Sequence, residues 1–260
     1  VGTYQFSIRD NGYLNEVVLS NDLALERFIP AYFDVAPVST PTFADSTSSA
    51  FTYIGQEFGF DTGTHPRFTV TAYNAKNQIT ENYSDALWRL SPNQTTLDAS
   101  VSYADNSAYS GNIETLNAGS GPGITGTANY DGTGTIAITN AQLRYQKVPT
   151  PTGADASPFE SAVNMTVGSS FFTDADNVCY RVAGAGACSD FVIADIAGTQ
   201  QRYGRLRLGN TFGPETSTLS MPIVAEYLVD GEWRINELDS ATNIDFTQSS
   251  GQLVVSHVTE

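Results

Sequence analysis

Lysine is almost missing from this chain: Lys76 and Lys147 are the only two, and the 12 Lys and Arg together face 28 Asp and Glu, for a formal charge of −16. Nucleic-acid affinity comes mainly from neutralising phosphates with Lys and Arg, so DNA and RNA are excluded as partners. Anionic membrane surfaces are disfavoured for the same reason. Such a surface suits solubility or an encounter with divalent cations. Long apolar runs are absent too; nothing approaches the ~18 residues of a membrane-spanning helix, so no membrane insertion is expected. Histidine occurs twice, as His65 before a proline and as His257 near the end. Neither lies near a cysteine or the other histidine at zinc-ligand spacing, and no Gly-x-Ser-x-Gly elbow surrounds a serine. A zinc enzyme and a Ser-His-acid hydrolase are therefore set aside. The opening "VGTYQFSIRDNG" lacks the basic start and apolar stretch of a signal peptide and reads as the interior of a longer protein.

Charged residues make up 15% of the chain, below the roughly 25% usual for soluble proteins. Ser, Thr, Asn, Gly, Tyr and Phe fill the gap, a composition of exposed β-structure. Period-two alternation recurs, as strands with one buried face require. "YQFSI" puts Tyr4, Phe6 and Ile8 on one face; "RFTVTAY" groups Phe68, Val70 and Ala72; "GTIAITNAQL" groups Ile136 and Ile138. "GRLRLGN" sets Arg205 and Arg207 against Leu206 and Leu208, with the leucines expected on the core side, and "QLVVSHV" supplies a last strand. Leu14 to Phe28 is the best helical stretch, but its apolar residues keep no clean stripe and Pro30 closes it. Turn clusters such as "NAGSGPG" and "YDGTG" separate the strands. The expected fold class is all-β, with two immunoglobulin-like or jelly-roll-type β-sandwich units. Residues 30–198 form the first sandwich and 199–260 a second, smaller β-rich unit. Residues 1–29 supply N-terminal strands that would complete the second unit.

Four groups of residues carry candidate chemistry. "FTDADNVCY" offers Asp174, Asp176 and Asn177, three oxygen-bearing side chains of the kind calcium prefers; the competing reading is an Asx-turn, in which such side chains bond their own backbone. Cys179 and Cys188 are spaced for a small disulfide loop, with Gly184 and Gly186 letting the chain fold back. That bond would imply an oxidising compartment. Arg202, Arg205 and Arg207 crowd into six residues. Guanidinium forks could grip an acidic ligand, but in so acidic a chain internal ion pairs, for example with Glu215, Glu226 or Asp239, are the stronger expectation. Trp88 and Trp233, each followed by an arginine, could stack on sugar rings, although most aromatics of a sandwich are core. The 28 acids contain many carboxylate pairs of the kind glycosidases use, with none singled out.

The pattern Asp-Ala-Asp-x-Val-Cys, then "RYGRLRLGN", "GPE" and "PIVAEY" resembles the C-terminal, β-rich region of MshQ-type proteins of Gram-negative bacteria, which are encoded with mannose-sensitive haemagglutinin (MSHA) type IV pili. "RFIPAYFDV", "FTYIGQEFGF" and "RFTVTAYNAKNQITENYSDALWRL" extend the resemblance over most of the chain. One departure is Ala241, near "ELDSAT", where the family pattern has a cysteine. The resemblance implies export to the bacterial surface or pilus and a non-enzymatic role in adhesion, display or pilus assembly, with pilus or surface proteins and surface glycans as partners. A carbohydrate-binding module is the first alternative and a glycan-cleaving enzyme the second. Calcium is the one cofactor expected.

Overall fold

Residues 2–28 make a β-arm of four strands, β1 (Gly2–Phe6), β2 (Arg9–Tyr13), β3 (Glu16–Leu19) and β4 (Leu23–Phe28). The structure, a computed structural model, describes residues 2–46, 50–214, 216, 218 and 220–242; the expected strand at "QLVVSHV", with His257, and Glu215 lie outside them. Leu14 and Asn15, at φ 50° and 67°, form the pair of left-handed residues that a two-residue type I′ hairpin needs. β3 then returns along β2, and β4 along β1. The four strands pair among themselves and not with the C-terminal sheet described below.

The body follows. Its strands are β5 (Tyr32–Pro37), β6 (Phe43–Ala44), β7 (Thr52–Tyr53), β8 (Glu57–Phe60), β9 (Arg67–Tyr73), β10 (Val101–Asp105), β11 (Ile113–Asn117) and β12 (Ile124–Thr125). They continue with β13 (Thr133–Ala137), β14 (Gln142–Tyr145), β15 (Phe159–Glu160), β16 (Val163–Val167), β17 (Phe191–Ile196) and β18 (Gln200–Arg202). Four sheets result, ordered β12-β13-β9-β5, β11-β14-β8-β6, β10-β16-β17 and β15-β18-β7. Among these described strands every ladder is antiparallel except β18 with β7, and an isolated parallel bridge joins Phe33 to Tyr180. The all-β, sandwich-like expectation holds. In β9 the alternation reads directly: Phe68, Val70 and Ala72 are fully buried, while Thr69, Thr71 and Tyr73 are half-exposed.

Rings tie the sheets to one another. Phe60 of β8 meets Tyr103 of β10 at 6.2 Å, and Phe68 of β9 meets Phe191 of β17 edge-on at 5.5 Å. The one α-helix among the described residues, α1 (Gln94–Ser100), buries Leu97. Its start is a reciprocal cap: Asn93 Oδ1 accepts from the Thr96 amide at 3.0 Å, and Thr96 Oγ1 accepts from the Asn93 amide at 2.9 Å. Such a cap satisfies two otherwise unpaired N-terminal donors.

Cys179 and Cys188 are joined, as expected, across a separation of nine residues. Cys179 is fully buried, and its carbonyl accepts from the Phe33 amide at 2.8 Å, so the loop is anchored to the innermost part of β5. Gly184, at φ 70°, sits against Tyr32, where a Cβ would fall 2.5 Å from the ring. Closing so short a loop restricts the unfolded chain by about 2.5 kcal/mol. Reduction is therefore expected to lower stability by about that amount in denaturant titration; an unchanged midpoint would show that the loop contributes nothing.

The C-terminal sheet is β19 (Gly204–Leu208), β20 (Ile223–Val229) and β21 (Glu232–Ile235), in that order. Arg205 lies opposite Glu226, and Leu206 opposite Ala225. Here one expectation is corrected. Leu206 and Leu208 are 52% and 54% exposed, because the body's contacts with this face gather at Gly204, Tyr227 and Asn236 and leave the two leucines open.

Candidate functional site

Buried polar side chains, Arg202 and Asn236 among them, gather where the body meets the C-terminal sheet. β18 is hydrogen-bonded between β15 and β7 of the body, and after Tyr203 alone the chain enters β19. There is no linker. The change of sheet is made at Tyr203.

Arg202 is the centre of this junction. Only 8% exposed, it donates through Nε to Gln200 Oε1 at 2.9 Å and through a terminal nitrogen to Asn236 Oδ1 at 2.7 Å. Its guanidinium lies 4.5 Å from the centroids of both Phe51, from the body, and Tyr227, from β20. Among the described residues no carboxylate forms the expected ion pair with this arginine; neutral oxygens and two ring faces hold it instead. A planar cation satisfied by rings and amides can be buried without an equally buried carboxylate.

Tyr53 of β7 makes the second crossing. Its hydroxyl donates to Asp239 Oδ2 at 2.9 Å and accepts from Asn236 Nδ2 at 2.6 Å. Burial, with Asp239 beside it, pushes the phenol up to about 12. Asp239 also accepts from Ala241 N and Thr242 N at 3.2 and 2.9 Å. Ala241 thus lies in an Asx-turn made by Asp239. Further bonds run from Tyr203 Oη to the Val148 carbonyl at 2.6 Å, from Lys147 Nζ to the Gly204 carbonyl at 2.5 Å, and from Gly231 N to the Ala156 carbonyl at 3.1 Å. Burial lowers the Lys147 ammonium's pKa. Gly204 is required for closeness: a Cβ there would meet the Tyr53 ring at 2.4 Å. The junction leaves a groove of about 310 Å³ bordered by Tyr53, Ile54, Lys147, Leu206 and Thr242.

Arg205 and Arg207 do pair internally. Both reach Glu226, with Arg205 on Oε2 at 2.8 Å and Arg207 on Oε1 at 2.6 Å. The Arg207 hydrogen bond, then that of Arg205, lowers the Glu226 carboxyl's pKa below its ordinary 4.5. A carboxylate held below its unfolded value stabilises the fold above that value and loses the contribution as pH falls through the folded one. The melting temperature is thus expected to hold from pH 7 to about 5 and to drop below about 4.5. In Glu226→Gln that part of the acid limb should be shallower; an identical acid limb would show that the pair does not stabilise the fold.

The two tryptophans do not form a free platform. Trp88 packs on Phe33 and Tyr83 at 6.4 and 4.8 Å and donates to the Leu90 carbonyl at 2.9 Å. Trp233 carries the Arg205 guanidinium 3.9 Å over its ring. The acidic loop does not fit calcium. Asp174 Oδ1 accepts from the amides of Asp176 and Val178 at 2.8 and 2.9 Å, and its other oxygen accepts from the Tyr83 hydroxyl. Asp176 is paired with Arg27, and Asn177 takes a left-handed turn conformation at φ 63°. Both Asp174 oxygens and one of Asp176 face protein donors, and no cluster of three His, Cys, Asp or Glu able to hold a metal exists among the described residues. The Asx-turn describes this loop.

Sequence reading singled out Arg202 but missed Tyr53, Asn236 and Lys147. Tyr53 and Asn236 lie 183 residues apart, and neither stands in a motif that marks the other. Comparison with known families matches residues 1–195 to "DUF6701, third domain" and residues 202–259 to "DUF6701, fourth domain". No curated protein and no solved structure matches the chain. The matches leave residues 196–201 between them and the second begins at Arg202, so the junction centred on Arg202 lies where the two domains meet, and the chain belongs to the DUF6701 family.

Proposed function

We propose that this chain is a non-enzymatic, extracellular pair of β-domains in a longer surface protein, of the MshQ-like kind associated with MSHA-type pili. Its task is to hold and present neighbouring parts of that protein in adhesion, display or pilus assembly. The observation that carries the reading is the junction. Two domains joined through a single residue, with a buried arginine clasped from both sides, make a stiff spacer rather than a hinge. The disulfide supports an oxidising compartment, and the domain numbers in the family descriptions support a multidomain protein.

The test is surface labelling. Antibodies raised against this chain should bind intact cells that produce it, and deleting its gene should reduce adherence or the number of surface pili. Labelling that needs permeabilised cells overturns the extracellular reading. Retention of a sugar on a glycan array, abolished by Trp233→Ala, would replace the spacer with a carbohydrate-binding module.

A further inference from the structure

The β-arm presents an apolar face that nothing described covers. Register puts Tyr4 opposite Leu25 and Phe6 opposite Leu23, with Gln5 opposite Ala24 on the other side. Tyr4, Phe6, Leu23 and Leu25 therefore share one face, and Phe28 joins it through an edge contact with Tyr4 at 5.5 Å. Tyr4, Phe6, Leu23 and Phe28 are all more than half exposed. This is the alternation of a half-buried sheet, with the half meant for burial turned outward. A two-stranded ribbon is marginal by itself in water, and a contiguous exposed apolar patch marks a contact surface. The base of the arm is fixed: Arg27 pairs with Asp176 of the body, and the Ala31 amide donates to the Tyr73 carbonyl at 2.7 Å.

We infer that this face docks against the domain numbered second in the same protein, so that the arm is a strut between consecutive domains. Two arguments favour that occupant over a second copy. Five half-exposed side chains offer on the order of 400 Å², about half of what each partner contributes to a stable complex of separate chains. A neighbour on the same polypeptide needs less, because tethering holds it at an effective concentration near millimolar. Charge points the same way, since two copies at −16 each repel. The inference rests on the chain being part of a longer multidomain protein, but not on where that protein resides.

Hydrogen exchange tests it, comparing this chain alone with the full-length protein. Amides of β1 and β4 should exchange about 100-fold more slowly in the full-length protein. The double variant Phe6→Asp, Leu25→Asp in the full-length protein should lose that protection. The same double variant in this chain alone should leave its melting temperature unchanged, since the arm lies off the core. Equal exchange in the two proteins overturns the inference. So does protection that survives the double variant, or protection in the isolated chain that rises with concentration alongside a dimer mass. None of these readouts depends on cell-surface labelling, so this inference and the functional proposal fail separately.

Discussion

Arg202→Ala is expected to uncouple the C-terminal sheet from the body and to lower stability by about 4 kcal/mol. The substitution removes two hydrogen bonds and two cation–ring contacts, and leaves the buried Asn236 oxygen without its donor. Charge-assisted bonds contribute roughly 1.5–3 kcal/mol each, and a desolvated cation–ring contact about 1 kcal/mol. Refilling of the gap by Phe51 and Tyr227 keeps the total below the sum. Because the contacts bridge two sheets, the signature is a change in cooperativity as well as a shift. Calorimetry should show a broadened or split transition, with the C-terminal sheet melting first. Arg202→Lys keeps the charge but not the planar fork, and should recover less than half of the loss. A single, unshifted transition in the alanine variant would show that Arg202 does not couple the two sheets.

Asp174→Ala carries the second large effect, about 3–5 kcal/mol. Asp174 is buried and serves three donors at once: the amides of Asp176 and Val178 and the hydroxyl of Tyr83. Tyr83 is itself fully buried, its ionisation strongly suppressed first by burial and then by the Asp174 carboxylate. Without its acceptor the proton of that hydroxyl is left unpaired in the core, although its oxygen still accepts from the Arg89 amide at 3.0 Å. Asp174→Asn retains an oxygen for the two amides and should cost only about 1–2 kcal/mol. Neither calcium at millimolar concentration nor a chelator should move the wild-type melting temperature. A calcium-dependent rise that Asp174→Asn abolishes would restore the metal reading.

What the sequence disclosed follows from how local each cause is. Phe68, Val70 and Ala72 were legible because a strand with one buried face writes its burial into every second residue. Cys179 and Cys188 were legible because a nine-residue separation with two glycines between them leaves few other outcomes. Asp174 was legible only as a choice between a turn and a metal, since both use the same oxygens. The arginines show where locality ends. Arg202, Arg205 and Arg207 look alike in the chain, yet Arg202 ends a strand of the body while the others begin the next sheet. Its ring partners come from residues 51 and 227, which no spacing rule connects. Leu206 and Leu208 misled because alternation reports two faces without saying whether a second layer covers either.

The exit strand has a mechanical consequence. β18 is gripped on both sides, by Phe159–Glu160 and by Thr52–Tyr53, and the backbone continues past it at once. Tension applied beyond Tyr203 would drag this strand lengthwise between its neighbours, so its ladder bonds would have to rupture together instead of peeling one after another. Traction along the molecule would thus be resisted in shear.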